Sequence, residues 1–132
     1  MPPPPWREPS PGPALTGDEL CRVRYASGMP TYMAVRRTRG PGWNAAASLR
    51  AQAQWTEHAA FMNGLVAEGF IVLGGPLGSG ELREGEEVLL VVDSTSEADV
   101  HARFATDPWT ASGLLVITRI EPWTVLLDGR RR

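Results

Sequence analysis

The chain has 132 residues, is 42% hydrophobic and carries a formal charge of −2. That suffices for one domain with a modest core, and no segment approaches the roughly 20 apolar residues of a membrane span. Basic residues cluster only at Arg36, Arg37 and Arg39 and at Arg130 to Arg132, too little footprint for nucleic acid as a main partner. Every basic side chain is arginine, which excludes a Schiff-base lysine and the lysine of a P-loop. The same bias, with abundant Ala, Gly and Pro, points to a GC-rich genome. The single Cys21 excludes an intrachain disulfide and a thiolate cluster, and two histidines are too few to announce a zinc site. No cofactor is expected, and without a secretory signal the cytoplasm is the default compartment.

Residues 1–28 open on MPPPPWREPSPGPALTG, dense in proline and poor in aliphatic side chains, and are expected to form a disordered leader. Met29 is an alternative start. A domain over 29–128 and a basic tail over 129–132 follow. Tyr32 to Arg37 reads as a first strand, and Arg39 to Gly42 as a loop. A helix is predicted from about Ala45 to Glu68, irregular near its start, with Gly69 as its C-terminal cap. Phe70 to Gly74 is a short apolar strand, Gly75 to Gly80 a turn, Glu81 to Glu87 an exposed connection and Val88 to Asp93 the third strand. Ser94 to Glu97 has capping-box spacing for a second helix to about Ala105, with Val100, His101 and Phe104 on its inner side. Asp107-Pro108 stops that helix. Leu114 to Glu121 is a fourth strand by its alternation, and Trp123 to Leu127 adds a short fifth.

The order β-α-β-β-α-β predicts an α+β, ferredoxin-like antiparallel sheet with two helices on one face. The other face, left bare, would be an apolar patch that monomers rarely expose, so a two-fold homodimer is expected.

Trp55, His58, Ala59, Met62, Leu65 and Val66 repeat with the spacing of one helix face, at about 100° per residue. An imidazole is thereby carried toward the interior, either as a satisfied core histidine or facing a pocket. Asp107 likewise has two readings: a carboxylate bonding local amides at a turn, or a functional partner.

Two stretches in this order, WTEHAAFMNGLVAEGFIVLGGPLG (55–78) and ATDPWTASGLL (105–115), resemble the YCII-related (YciI-like) domain family, of the dimeric α+β barrel type. The resemblance runs from about Tyr32 to Leu127. It implies an active site built on a histidine–aspartate pair, His58 and Asp107, and is similar more distantly to a dehydrochlorinase branch acting on a chlorinated hydroxyquinol.

A carboxylate bonded to one imidazole nitrogen fixes the tautomer and leaves the other free as acid or base. No serine or cysteine elbow accompanies the pair, so proton abstraction with elimination or isomerisation is the expected class rather than acyl transfer. Trp55 and Trp109 are either flat walls for a planar ring or ordinary core aromatics. Gly75 and Pro76 either bring backbone close to a ligand or simply turn the chain. Arg37, or Arg36, either binds an anionic group or is solvated. His101 is taken as structural. The expected function is a cofactor-independent lyase or isomerase on a small metabolite, with a non-catalytic ligand-binding or regulatory dimer as the alternative. An oxygenase is a third, less favoured reading.

Overall fold

The computed structural model describes residues 32–130. The expected leader (1–28, with Cys21), Met29 with residues 30 and 31, and Arg131 and Arg132 lie outside the described residues.

Strand β1, Tyr32–Arg39, is where the alternation pays off: Met33, Val35 and Arg37 are buried on one face, and Ala34, Arg36 and Thr38 point the other way. Helix α1 is Trp55–Ala67, β2 is Ile71–Pro76, β3 is Val88–Asp93 and helix α2 is Glu97–Phe104. A one-turn helix α3, Pro108–Ala111, precedes β4, Leu115–Trp123. The four strands run antiparallel in the order β2-β3-β1-β4, the ferredoxin-like βαββαβ arrangement. Leu65 of α1 and Val100 and Phe104 of α2 pack into one cluster with Met33, Val35, Ile71, Leu90 and Val92, so both helices cover the same face. A second cluster, Leu82, Trp109, Leu114 and Leu115, extends it toward the far end of β1.

The cap at Gly69 forms as expected. Gly69 (φ 81) donates to the Val66 carbonyl and Phe70 to that of Leu65, closing a Schellman motif.

Several expectations are corrected. The helix expected from Ala45 begins only at Trp55, and 45–54 forms turns with a 3-10 segment at Leu49–Ala51. Buried Gln52 ties this segment down: its amide donates to the carbonyls of Asn44, Ala47 and Ser48 and its oxygen accepts from Asn44 N. Tertiary anchoring has overridden the helix propensity of an alanine-rich run. At α2, the cap is Ser96 rather than Ser94: Ser96 Oγ accepts from Asp99 N, and Ser94 Oγ, two residues earlier, accepts from Ser96 N. His101 is exposed, not inward, with Nε2 4.0 Å from Glu97 Oε1. Val66, too, lies outside the covered stripe of α1.

The strict alternation expected of the last strand is broken. Arg36 pairs with Arg119 but Arg37 with Ile117, leaving Thr118 as the extra residue of a bulge. Ile117 and Ile120, three apart, therefore both pack on the core. The fifth strand expected at Trp123 to Leu127 does not form; Trp123 ends β4 and 124–130 has no regular structure. Val125, Leu127 and Arg130 instead line a hollow of about 170 Å³ with Tyr32, Leu73 and Val91, on the face opposite the helices.

Candidate active site

The site begins with a short sequence, Asp107-Pro108-Trp109-Thr110. Pro108 has the right fixed φ for the first helical position, and Asp107 caps the turn by accepting from Trp109 N at 3.0 Å. Gly113 (φ 75) closes it: Gly113 N donates to the Thr110 carbonyl and Leu114 N to that of Trp109. A single helical turn capped at both ends thus holds the carboxylate, the indole and the threonine hydroxyl in fixed relation.

The same Asp107 oxygen that caps the turn meets His58. Nδ1 of the imidazole lies 2.8 Å from Oδ1, across 49 residues of chain. Asp107 therefore bonds a local amide and the histidine at once. Burial alone would push its carboxyl up, but hydrogen bonds from His58, Arg37 and the Trp109 amide outweigh burial and hold it below the ordinary carboxylate value. An ionised carboxylate has only acceptors, so Nδ1–H donates to it, and in the neutral ring Nε2 carries the lone pair. The ring is also stacked on the Trp109 indole, centroids 3.9 Å apart and planes 4° off parallel. Trp109 is itself anchored by its Nε1–H, which donates to the Ala53 carbonyl at 2.7 Å.

Arg37 completes the cluster from β1. It is fully buried, not solvated, and its two terminal nitrogens divide: Nη1 donates to Asp107 Oδ2 at 2.8 Å and Nη2 to Thr110 Oγ1 at 2.7 Å. Its guanidinium carbon lies 5.2 Å from the centroid of the Phe104 ring. Burial lowers the Arg37 pKa even though Asp107 works the other way. An arginine nonetheless remains charged.

His58 and Arg37 line one cavity of about 250 Å³. Its other walls are apolar: Trp55 and Trp109, then Leu49, Met62, Val88, Leu90 and Leu115. Gly74, Gly75 and Pro76 of β2 complete it. A Cβ at Gly74 would collide with the end of the Leu90 side chain, so glycine there keeps the space open. None of these lining side chains carries a hydroxyl, thiol or amine, which leaves the imidazole as the group able to exchange a proton with a ligand. Among the described residues no group of three or more His, Cys, Asp or Glu side chains is placed to hold a metal ion. No helix among them is long and apolar enough to cross a membrane.

The structure brings all seven residues singled out in the sequence, His58, Asp107, Trp55, Gly75, Pro76, Trp109 and Arg37, to this cavity or its supporting hydrogen bonds. Two roles change. One face of Trp109 is covered by His58, so the indole supports the imidazole as well as walling the cavity. Gly75 and Pro76 belong to the β2–β3 ladder, opposite Leu89 and Val88, instead of turning the chain. Thr110 and Leu49 went unnoticed in the sequence. The alternation Met33, Val35, Arg37 was the available signal that Arg37 shares the buried face.

No family model and no curated protein matches this chain. Among solved structures it is similar to 5-chloro-2-hydroxyhydroquinone dehydrochlorinase (TftG) from Burkholderia phenoliruptrix AC1100, solved in complex with 2,5-dihydroxybenzoquinone. The two chains are 26% identical with a TM-score of 0.50, over 70% of this chain and 92% of that one. At this coarse level, fold and general kind, the likeness supports the resemblance to the YciI-like family.

Proposed function

We propose that this protein is a cofactor-independent enzyme of lyase or isomerase type, acting on a small single-ring metabolite. His58 serves as the acid–base group and Asp107 orients it. The observation that carries this reading is the 2.8 Å contact between His58 Nδ1 and Asp107 Oδ1 beside a cavity of about 250 Å³. With Nδ1–H held by the carboxylate, Nε2 removes a proton from the ligand and returns it to a second atom or a leaving group. The flat indoles suit a planar ring, and the apolar walls strengthen each polar contact made inside them. A dehydrochlorinase among similar solved structures, with a dihydroxybenzoquinone bound, favours hydroxylated or halogenated rings as the first compounds to test.

The experiment is a screen of such rings for loss of halide or for exchange of a ring proton with solvent deuterium, using the wild-type protein and His58→Gln. Turnover that disappears in His58→Gln while the melting temperature holds supports the enzyme reading. Compounds that bind with no turnover and no exchange would replace it with a ligand-binding module.

The protein is further proposed to pair as a homodimer through the open sheet face, where Leu73 is 59% and Trp123 42% exposed. Sedimentation of the wild type and of Leu73→Glu tests this. A dimer that the charge dissociates is expected, and a wild-type monomer overturns it.

A further inference from the structure

We infer that Arg37 is a positioning residue whose charge cancels that of Asp107 and so keeps His58 in its neutral, proton-accepting form. The inference rests on the reading of His58 as the base and explains how that base is kept ready.

A carboxylate paired with an imidazole and nothing else favours the imidazolium, because opposite charges attract strongly once water is excluded. Such a ring has protons on both nitrogens and can accept no other. Here the carboxylate already faces a fixed cation. Arg37 Nη1 lies 2.8 Å from Asp107 Oδ2 while His58 takes Oδ1, so one carboxylate serves both neighbours through different oxygens. The Arg37–Asp107 pair sums to zero before any proton on the imidazole is counted. A second proton on His58 would leave an uncompensated positive charge against apolar walls, which is costly.

The surroundings of both groups leave this balance in place. From α3, His58 meets the Asp107 carboxylate and the Trp109 face, which taken alone would favour a cation. From its own helix it meets Trp55, with centroids 6.1 Å apart, while Glu57 is exposed. From β2, β3 and β4 the cavity receives only Gly74, Gly75, Pro76, Val88, Leu90 and Leu115, none of them charged. Arg37 in turn has Asp107, the Thr110 hydroxyl and the Phe104 ring as partners, and no second carboxylate among the described residues. The planar fork spans Asp107 and Thr110, three residues apart on one capped turn, and thereby fixes the carboxylate as well as neutralising it.

The test is the charge state of the imidazole in the full-length protein, read by nitrogen-15 NMR. His101 is exposed and supplies an internal reference in the same spectrum. At pH 7 the wild-type His58 is expected to be mainly neutral, with its proton on Nδ1. In Arg37→Gln its protonated-to-neutral ratio should rise about tenfold or more, with the His101 signals unchanged. Arg37→Lys, which keeps the charge, should hold the ratio within about twofold of wild type. A wild-type His58 that is mainly imidazolium at pH 7 overturns the inference, and this measurement stands even if Arg37→Gln does not fold. An unchanged ratio in a folded Arg37→Gln overturns it equally. Neither readout depends on turnover, so a failed substrate screen sinks the proposed reaction without deciding the role of Arg37. Once a substrate is in hand, the acid limb of its kcat/KM profile should move to higher pH in Arg37→Gln.

Discussion

Arg36 and Arg37 are neighbours in the chain and live in different solvents. Arg36 points to the open face of the sheet, with its side chain 32% exposed, 3.1 Å from Glu87 and 4.0 Å from Glu121. Arg37 points to the helix-covered face, is fully buried, and meets the equally buried Asp107 at 2.8 Å. The same side chain is a surface ion-pair member in one place and part of a preorganised polar cluster in the other. Within one protomer water makes the difference: on the open face it screens the charges and competes for them, whereas under the helices each charge must be matched by protein.

The sharpest way to separate the two faces is activity. His58→Gln should reduce turnover of any identified substrate by about 10²–10⁴-fold, the usual worth of a positioned acid–base group. The fold should persist, because Asp107 keeps its bonds to Arg37 and the Trp109 amide. Arg36→Met, on the other face, should leave turnover near wild type.

Stability is the next contrast. Arg37→Met removes the fixed cation from a buried carboxylate and should cost about 3–5 kcal/mol in urea denaturation. Arg36→Met should cost less than about 1 kcal/mol, a difference erased by raised salt. Equal losses at the two positions would break the comparison.

Acid sharpens it further. The native pKa of Asp107 lies below its unfolded value, so as pH falls the unfolded chain takes up the proton first and gains on the folded one. The stability from Asp107 is complete above the ordinary carboxylate range of about 4 and disappears as pH falls through the lower native value. Asp107→Asn should be less stable at pH 7 and should show a flatter acid limb than wild type. The smallest effect is expected at Gly75, where a Cβ meets nothing within 4 Å. Gly75→Ala should leave the melting temperature nearly unchanged.

Local patterns carried much of this molecule. The stripe around His58 apart from Val66, the Schellman glycine at 69 and the alternation in β1 all follow from period and backbone geometry, and each is found in the structure. The failures are equally physical. Ala45 to Gln54 is rich in helix formers, yet the Gln52 side chain and the packing of Leu49 against the Trp109 cluster hold it in turns. The capping-box spacing at Ser94 lies two residues too early, because Ser96 offers the same oxygen where the chain bends. In β4 a bulge at Thr118 broke an alternation that local residues do not reveal.

From the order of residues alone came the four strands, the two main helices, the ferredoxin-like arrangement and, with the family resemblance, His58 and Asp107 as candidate site residues. These depend on spacing and on side chains acting within a few positions of one another, which a linear pattern records. Only the tertiary structure decided that Asp107 is shared between His58, 49 residues away, and Arg37, 70 residues away. Contacts at that separation depend on how the sheet and the capped turn pack, and hydrogen-bond distances of 2.8 Å are decided by that packing.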